Sequence, residues 1–148
     1  MYLIIHLGKH RLSSDNTSSH FTVLCNEIIN LNKIIRFAGV ANNQGTILAT
    51  SYRDGLTPLL TIEETRIYAV QAVLRSATRE DFVSKLGKLK HAIGTYDKLI
   101  RTTVPVITNG NLQAKFFLLL SFDIGTDVRT IIENELLPYI DKNLSLFR

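Results

Sequence analysis

The stretch Phe116-Phe117-Leu118-Leu119-Leu120 constrains the fold more than any other part of the chain. A strand sends successive side chains to opposite faces, so a run without polar alternation needs an apolar cover on both sides. Thr108-Asn109-Gly110-Asn111 is a strong turn signal before it, and Asp123 to Asp127 breaks the pattern after it. Those bounds predict a central strand over 114–122 rather than a helix. The chain must therefore supply two helical layers around one sheet. Its 148 residues, 45% hydrophobic and 20% charged, are those of one ordinary globular domain. No apolar run approaches the ~18 residues needed to cross a bilayer, so no membrane association is expected.

The remaining elements follow from periodicity and punctuation. Phe21, Leu24, Cys25, Ile28 and Leu31 recur at helical spacing, which predicts a helix over 20–33 with Ser18 or Ser19 as its cap. Two β-rich runs, 34–41 and 46–52, flank Asn42-Asn43-Gln44-Gly45, a hairpin turn in which Gly45 supplies a positive φ. After the loop Arg53–Pro58, the capping box Thr61-Ile62-Glu63-Glu64 opens a second helix to about Ser76. Thr78-Arg79-Glu80-Asp81 reads as a second box that restarts a short helix carrying Phe82 and Leu86, and Gly87 stops it. Strands are expected over 88–97 and 99–107. A last helix starts at Thr126 or Asp127 and carries Val128, Ile131, Ile132 and Leu136, with Pro138 kinking it. Residues 1–19 read as an N-terminal extension or linker, with an edge strand at most over Tyr2–Leu7. That run has no basic leader and no small-residue cleavage site, so it does not read as a secretory signal. Residues 20–148 are then the single domain. The order α-ββ-α-βββ-α predicts an α+β fold, a five-stranded antiparallel sheet with helices one and three on one face and helix two on the other.

Several chemistries are not expected. One cysteine, Cys25, rules out an intrachain disulfide and points to a reducing, cytoplasmic setting. Cys25 lies in an apolar helical pattern, where a buried hydrophobe is the natural role. The four histidines form no HxxxH or HExxH on a helical pattern, so no metal is expected. The chain has no GxxxxGK[ST], no GxGxxG after a strand and no GxSxG elbow, so neither a nucleotide cofactor nor a catalytic residue is assigned. Glu63 and Glu64 are adjacent, which points them to different sides of a helix rather than into one acid–base pair. The net charge is +4, with five cations against Asp97 between Lys85 and Arg101 and an acidic excess between Asp123 and Lys142. That bipolar pattern is no nucleic-acid signal, which would be a denser basic stripe with aromatic platforms.

Two sets of residues stand out. Tyr52 and Arg53 leave the second strand beside helix two, where Arg53 can bind an anion or brace the turn through Asp54. Tyr96, Lys98 and Arg101 sit in the middle strands, with Tyr96 and Lys98 on one face and Arg101 on the other or across a turn. Tyr52, Arg53, Tyr96 and Arg101 are the candidate ligand-binding residues. Helix two is more apolar than one buried stripe requires, through Ile67, Tyr68, Ala69, Val70, Ala72, Val73 and Leu74. Ile67, Tyr68 and Leu74 are the candidate interface, unless the 79–86 segment covers them.

The element order is similar to that of the roadblock, longin and profilin-like folds, and is close to PAS and GAF sensor modules. Ile35-Arg36-Phe37-Ala38-Gly39-Val40, the Asn42–Gly45 turn, Thr46-Ile47-Leu48-Ala49-Thr50-Ser51 and Phe117–Phe122 carry a resemblance to roadblock-type domains over 20–142. The resemblance implies a non-catalytic interaction module, paired with itself or a related chain and serving as a scaffold or regulator beside small GTPases. It departs at the inserted 79–86 helix and the N-terminal lead-in. Tyr52-Arg53-Asp54-Gly55-Leu56 and Lys85-Leu86-Gly87-Lys88 also resemble an uncharacterised archaeal family, which implies no function. The alternative is a PAS- or GAF-like small-molecule sensor with a pocket between the sheet and helix two, lined by Phe37, Tyr52 and Phe122.

Overall fold

The computed structural model describes residues 20–148 apart from 109, 111 and 112. The readings of residues 1–19, and part of the Thr108–Asn111 turn, lie outside the described residues. Helix α1 is described over 20–29 and leads through a turn into β1 (Ile35–Asn42) and β2 (Ile47–Tyr52). Helix α2 (Ile62–Arg79) passes through a 3-10 turn (Glu80–Phe82) into the one-turn helix α3 (Val83–Leu86). Strands β3 (Ala92–Thr95), β4 (Ile100–Val106) and β5 (Phe116–Phe122) follow. The chain then ends in α4 (Val128–Ile131), a π-helical stretch (Ile132–Leu136), α5 (Leu137–Lys142) and a final 3-10 turn.

The strands form one antiparallel sheet in the order β2-β1-β5-β4-β3. β5 is central, and its residues from Phe117 to Phe122 are all buried. Leu118, Leu120 and Phe122 face α1 and the C-terminal helices, packing with Phe21, Leu24, Ile28, Ile132 and Leu136. Leu119 faces α2 beside Phe37, Ala41, Ala69 and Ala72, and Phe117 meets Val73. The two helical layers are thus divided as the sequence predicts. Small residues at Ala69 and Ala72 let α2 sit close to the sheet, where both are essentially fully buried.

Local chemistry explains the element ends. The Thr61 hydroxyl accepts from the Glu64 amide at 3.1 Å, and the Thr61 amide donates to the Glu64 carboxylate at 2.9 Å, closing the expected capping box. Asn42 Oδ1 accepts from the Gln44 and Thr46 amides at 2.9 and 3.0 Å, which holds the hairpin turn with Gly45 at φ 82°. Asp127 caps α4 by accepting from the Thr130 amide. The π-helical stretch sits directly before Pro138, whose ring would clash with the Asn134 carbonyl in regular α geometry; the widened turn is the expected kink.

Four expectations need correction. Helix α1 stops at residue 29 instead of 33, because Asn32 Oδ1 accepts from the Ile34 amide and turns the chain toward β1. Thr78 is no helix start: its hydroxyl donates back to the Arg75 carbonyl, so α2 runs unbroken to Arg79. β3 begins at Ala92, not Lys88, since the residues before it cross from α3 to the sheet and pair with no strand. Phe122 does not share a pocket with Phe37 and Tyr52. Opposite Phe122 and Ser121, β1 carries Ile35, Arg36 and Phe37, so Arg36 is a bulged extra residue that sends Ile35 and Phe37 to opposite faces.

Candidate functional site: the outer face of α2 and an arginine–tyrosine groove

The buried residues of α2 are Thr65, Ala69, Ala72, Val73 and Ser76, one stripe along the helix. At 100° per residue the opposite stripe contains Ile67, Val70 and Leu74. These three are 52%, 43% and 61% exposed. The segment after α2 does not cover them, because Phe82 and Leu86 are themselves 58% and 82% exposed. Among the described residues, β3 is an end strand of the sheet, hydrogen-bonded on one side to β4, and Ile93, Gly94 and Thr95 are exposed. An open edge of this kind is a template for another strand unless it is protected. The flank of α2 toward β3 is Tyr68, Arg75 and Arg79, whereas Val70 at the margin of the exposed stripe meets the β1–β2 turn at Gly45.

Between α2 and the β3–β4 hairpin runs a groove of about 240 Å³ lined by Tyr68, Arg75, Arg79, Tyr96, Arg101 and Thr103, among others. Tyr68, Arg75 and Arg79 fall on one flank of α2 because they are spaced by seven and four residues. Arg101 rises from β4 on the α2 face, with its guanidinium carbon 3.2 Å from the centroid of the Tyr68 ring, and Arg75 lies 5.7 Å from the same centroid. Burial pulls the Arg101 guanidinium below its ordinary value and nearby Arg75 acts in the same direction, while the phenols of Tyr68, Tyr96 and Tyr52 oppose them. Arg101 stays a cation at neutral pH even so. A second groove of about 410 Å³ continues past Tyr96 and Arg101 along Leu59, Leu60, Asp97, Lys98 and Leu99.

Of the four residues chosen from sequence as ligand contacts, the structure brings three toward one place. Arg101 and Tyr96 share the groove, since the turn after β3 returns both to the same side. Tyr52 packs its ring 5.0 Å from that of Phe37 and lines a small cleft with Arg101. Arg53 lies elsewhere. Its guanidinium grips the Asp123 carboxylate through two hydrogen bonds of 2.8 and 3.1 Å and donates a third, 2.9 Å, to the Lys33 carbonyl. Arg36 reaches the same carboxylate at 3.3 Å. The hydrogen bond from Arg53 holds the Asp123 carboxyl below the usual carboxylate range, with Arg36 adding to it. The brace of the turn is thus Asp123, not the neighbouring Asp54. Sequence reasoning missed Arg75 and Arg79, although their spacing from Tyr68 was a readable signal.

Little space remains between the sheet and α2. The cleft bounded by Phe37, Tyr52, Leu56, Thr65 and Arg101 holds about 30 Å³, room for a water or two. Cys25 is fully buried, and burial pushes its thiol up to about 12, so it carries no thiolate at neutral pH. Among the described residues no three His, Cys, Asp or Glu side chains gather as a metal site, and no helix is long and apolar enough to cross a membrane.

The architecture has close counterparts among solved structures. The gliding protein MglB of Thermus thermophilus superposes with a TM-score of 0.62 at 11% identity, covering 85% of this chain and 84% of that one. A Roadblock/LC7 domain from Streptomyces avermitilis gives 0.62 at 8% identity, covering 86% and 98%. MglB of Myxococcus xanthus gives 0.61 at 12%, covering 88% and 89%. The fold is roadblock-like. No protein-family profile matches the sequence, and no curated protein matches it. At such low identity the shared property is the backbone arrangement, held by apolar pattern rather than by particular residues. In this chain α3 follows α2, and the groove on that flank carries three arginines.

Proposed function

We propose that this protein is a non-catalytic interaction module that pairs with a second copy of itself, or with a related roadblock-like chain, through α2 and β3. The observation that carries the reading is the exposed stripe Ile67, Val70 and Leu74 on α2, in a molecule whose β3 is an end strand among the described residues. Apolar side chains this exposed and contiguous gain ~25 cal/mol for each Å² taken from water, and a paired edge adds backbone hydrogen bonds. Tyr68 flanks the stripe and supplies an aromatic rim held by Arg101. One similar structure is described as MglB with a tetrameric arrangement, which supports self-association as the reading for this chain. The resemblance to roadblock domains supports a small GTPase as the further partner that a paired module would scaffold or regulate. A sensor of PAS or GAF type would need a chamber beneath α2, where the cleft admits only a water or two.

Light scattering on the eluting protein tests the pairing. The wild type is expected at twice 16.7 kDa. Leu74→Glu and Ile67→Glu should each weaken association by ~30-fold or more, the worth of a central apolar anchor, without unfolding the domain. A dimer that survives both substitutions, or a wild type that stays monomeric at high concentration, would sink the proposed surface.

A further inference from the structure

The groove between α2 and the β3–β4 hairpin gathers Arg75, Arg79 and Arg101, with no carboxylate among its described lining residues. Among the described residues, the ion pairs go to Arg36, Arg53, Arg66, His91 and Arg129, and none reaches these three. Arg101 is the most telling of them. Its Nε is buried and has no hydrogen-bond partner, although a donor taken out of water normally finds an acceptor. A partly buried cation facing another cation is costly unless a counter-charge arrives. The Tyr68 ring holds the Arg101 guanidinium at the groove, its carbon 3.2 Å from the ring centroid. Thr103 and Tyr96 also line the groove.

We propose that this groove binds a phosphate-type oxyanion, as inorganic pyrophosphate or as the terminal phosphates of a small phosphate ester. Guanidinium forks match phosphate oxygens two at a time, and three of them around one space suit a multivalent anion better than a single carboxylate. The groove's volume, about 240 Å³, is large enough for a small diphosphate. Ala92, Ile93 and Gly94 of β3 and Tyr68 of α2 line the groove, so it borders the pairing surface proposed above, and a monomeric variant belongs in its test.

Calorimetric titration of the full chain with pyrophosphate, at constant ionic strength, tests this. Saturable binding of one pyrophosphate per chain is expected. Arg75→Gln, Arg79→Gln and Arg101→Gln should each weaken it about tenfold or more, the loss of a charge-assisted contact. Arg66→Gln is the control, because nine residues from Arg75 place Arg66 on the opposite flank of α2, where it pairs with Glu63 at 3.1 Å. Its binding should equal the wild type's. Should Arg101→Gln fail to fold, the exposed Arg75 and Arg79 carry the test. An inorganic phosphate titration and one with a phosphate monoester then separate a free anion from an esterified one. Absence of saturable binding, or equal weakening by Arg66→Gln, overturns the proposal, the latter by reducing it to net charge. Binding that is lost in monomeric Leu74→Glu also overturns it, because the anion would then be held between copies. If Arg75→Gln and Arg79→Gln instead split a dimer that never bound pyrophosphate, the arginines answer a partner's carboxylates and the anion site falls.

Discussion

Adding one methyl group at Gly45 tests how closely the β1–β2 hairpin is seated on α2. A Cβ built there would lie 2.8 Å from Val70 Cα and 3.0 Å from its Cγ2. The first of these is backbone in the middle of an 18-residue helix, so no side-chain rotation relieves it. Gly45 also has φ 82°, where a non-glycine residue costs ~1–2 kcal/mol. Overpacking adds ~1–3 kcal/mol where neighbours cannot move. Gly45→Ala is therefore expected to lose ~3 kcal/mol in all. Gly55 provides the internal reference: its φ is 76°, but nothing lies within 4 Å of the built Cβ. Gly55→Ala should thus lose only the backbone share, ~1 kcal/mol. For a chain of this length the two losses translate to drops of ~9 °C and ~3 °C in Tm. Urea unfolding at one fixed protein concentration would measure both, since association shifts apparent stability. Equal losses in the two variants would refute the claim that the turn touches α2. So would a Gly45→Ala midpoint within error of the wild type.

Other consequences are as direct. Asp123 has a depressed folded-state pKa, so its ion pairs stabilise the fold above the ordinary carboxylate value of ~3.9 and stop doing so as pH falls through the lowered one. Asp123→Asn should cost ~1 kcal/mol at neutral pH, given a side chain 36% exposed, and the gap from wild type should close on acidification in pH-dependent urea melts. A gap that stays constant down to pH 2 would refute it. Cys25, with its thiol near 12, should resist a disulfide reagent at pH 8 until the protein opens, so labelling within the mixing time of native protein would contradict the buried placement. Thr61→Ala removes one half of the capping box and should lose ~1 kcal/mol in chemical denaturation, whereas an unchanged midpoint would mean that the helix start is held by packing alone.

Much of the fold was legible in local pattern, and the reason is specific to each element. The unbroken apolar run at 116–120 requires cover on two sides wherever it is placed, and the structure covers it on two sides. Thr61 with Glu64, and Asn42 with Gly45, act over three residues, so their signals survive any tertiary arrangement. The second capping box failed because the helix preceding it was already formed. Its threonine hydroxyl found a carbonyl three residues back instead of an amide ahead. The candidate site was half legible. Helical spacing alone put Ile67 and Leu74 on one stripe, and their excess over a single core face was visible as composition.

Which stripe of α2 would face water was decided by the sheet, because Ala69 and Ala72 allow a closer approach than Ile67 and Leu74. The bulge at Arg36 reversed the faces expected from strict alternation, and no property of Ile35 or Phe37 announces it. Arg53 and Asp123 stand 70 positions apart, and their bond exists because β2 and β5 flank β1. The contact of Arg101 with the Tyr68 ring likewise needs α2 and β4 to cross the same face. Hydrophobic periodicity and turn chemistry act over a few residues, so the sequence by itself determines which elements form and in what order. Contacts between residues distant in the chain depend on how those elements dock. For this protein, the tertiary structure alone decided which charges are compensated and which are left open.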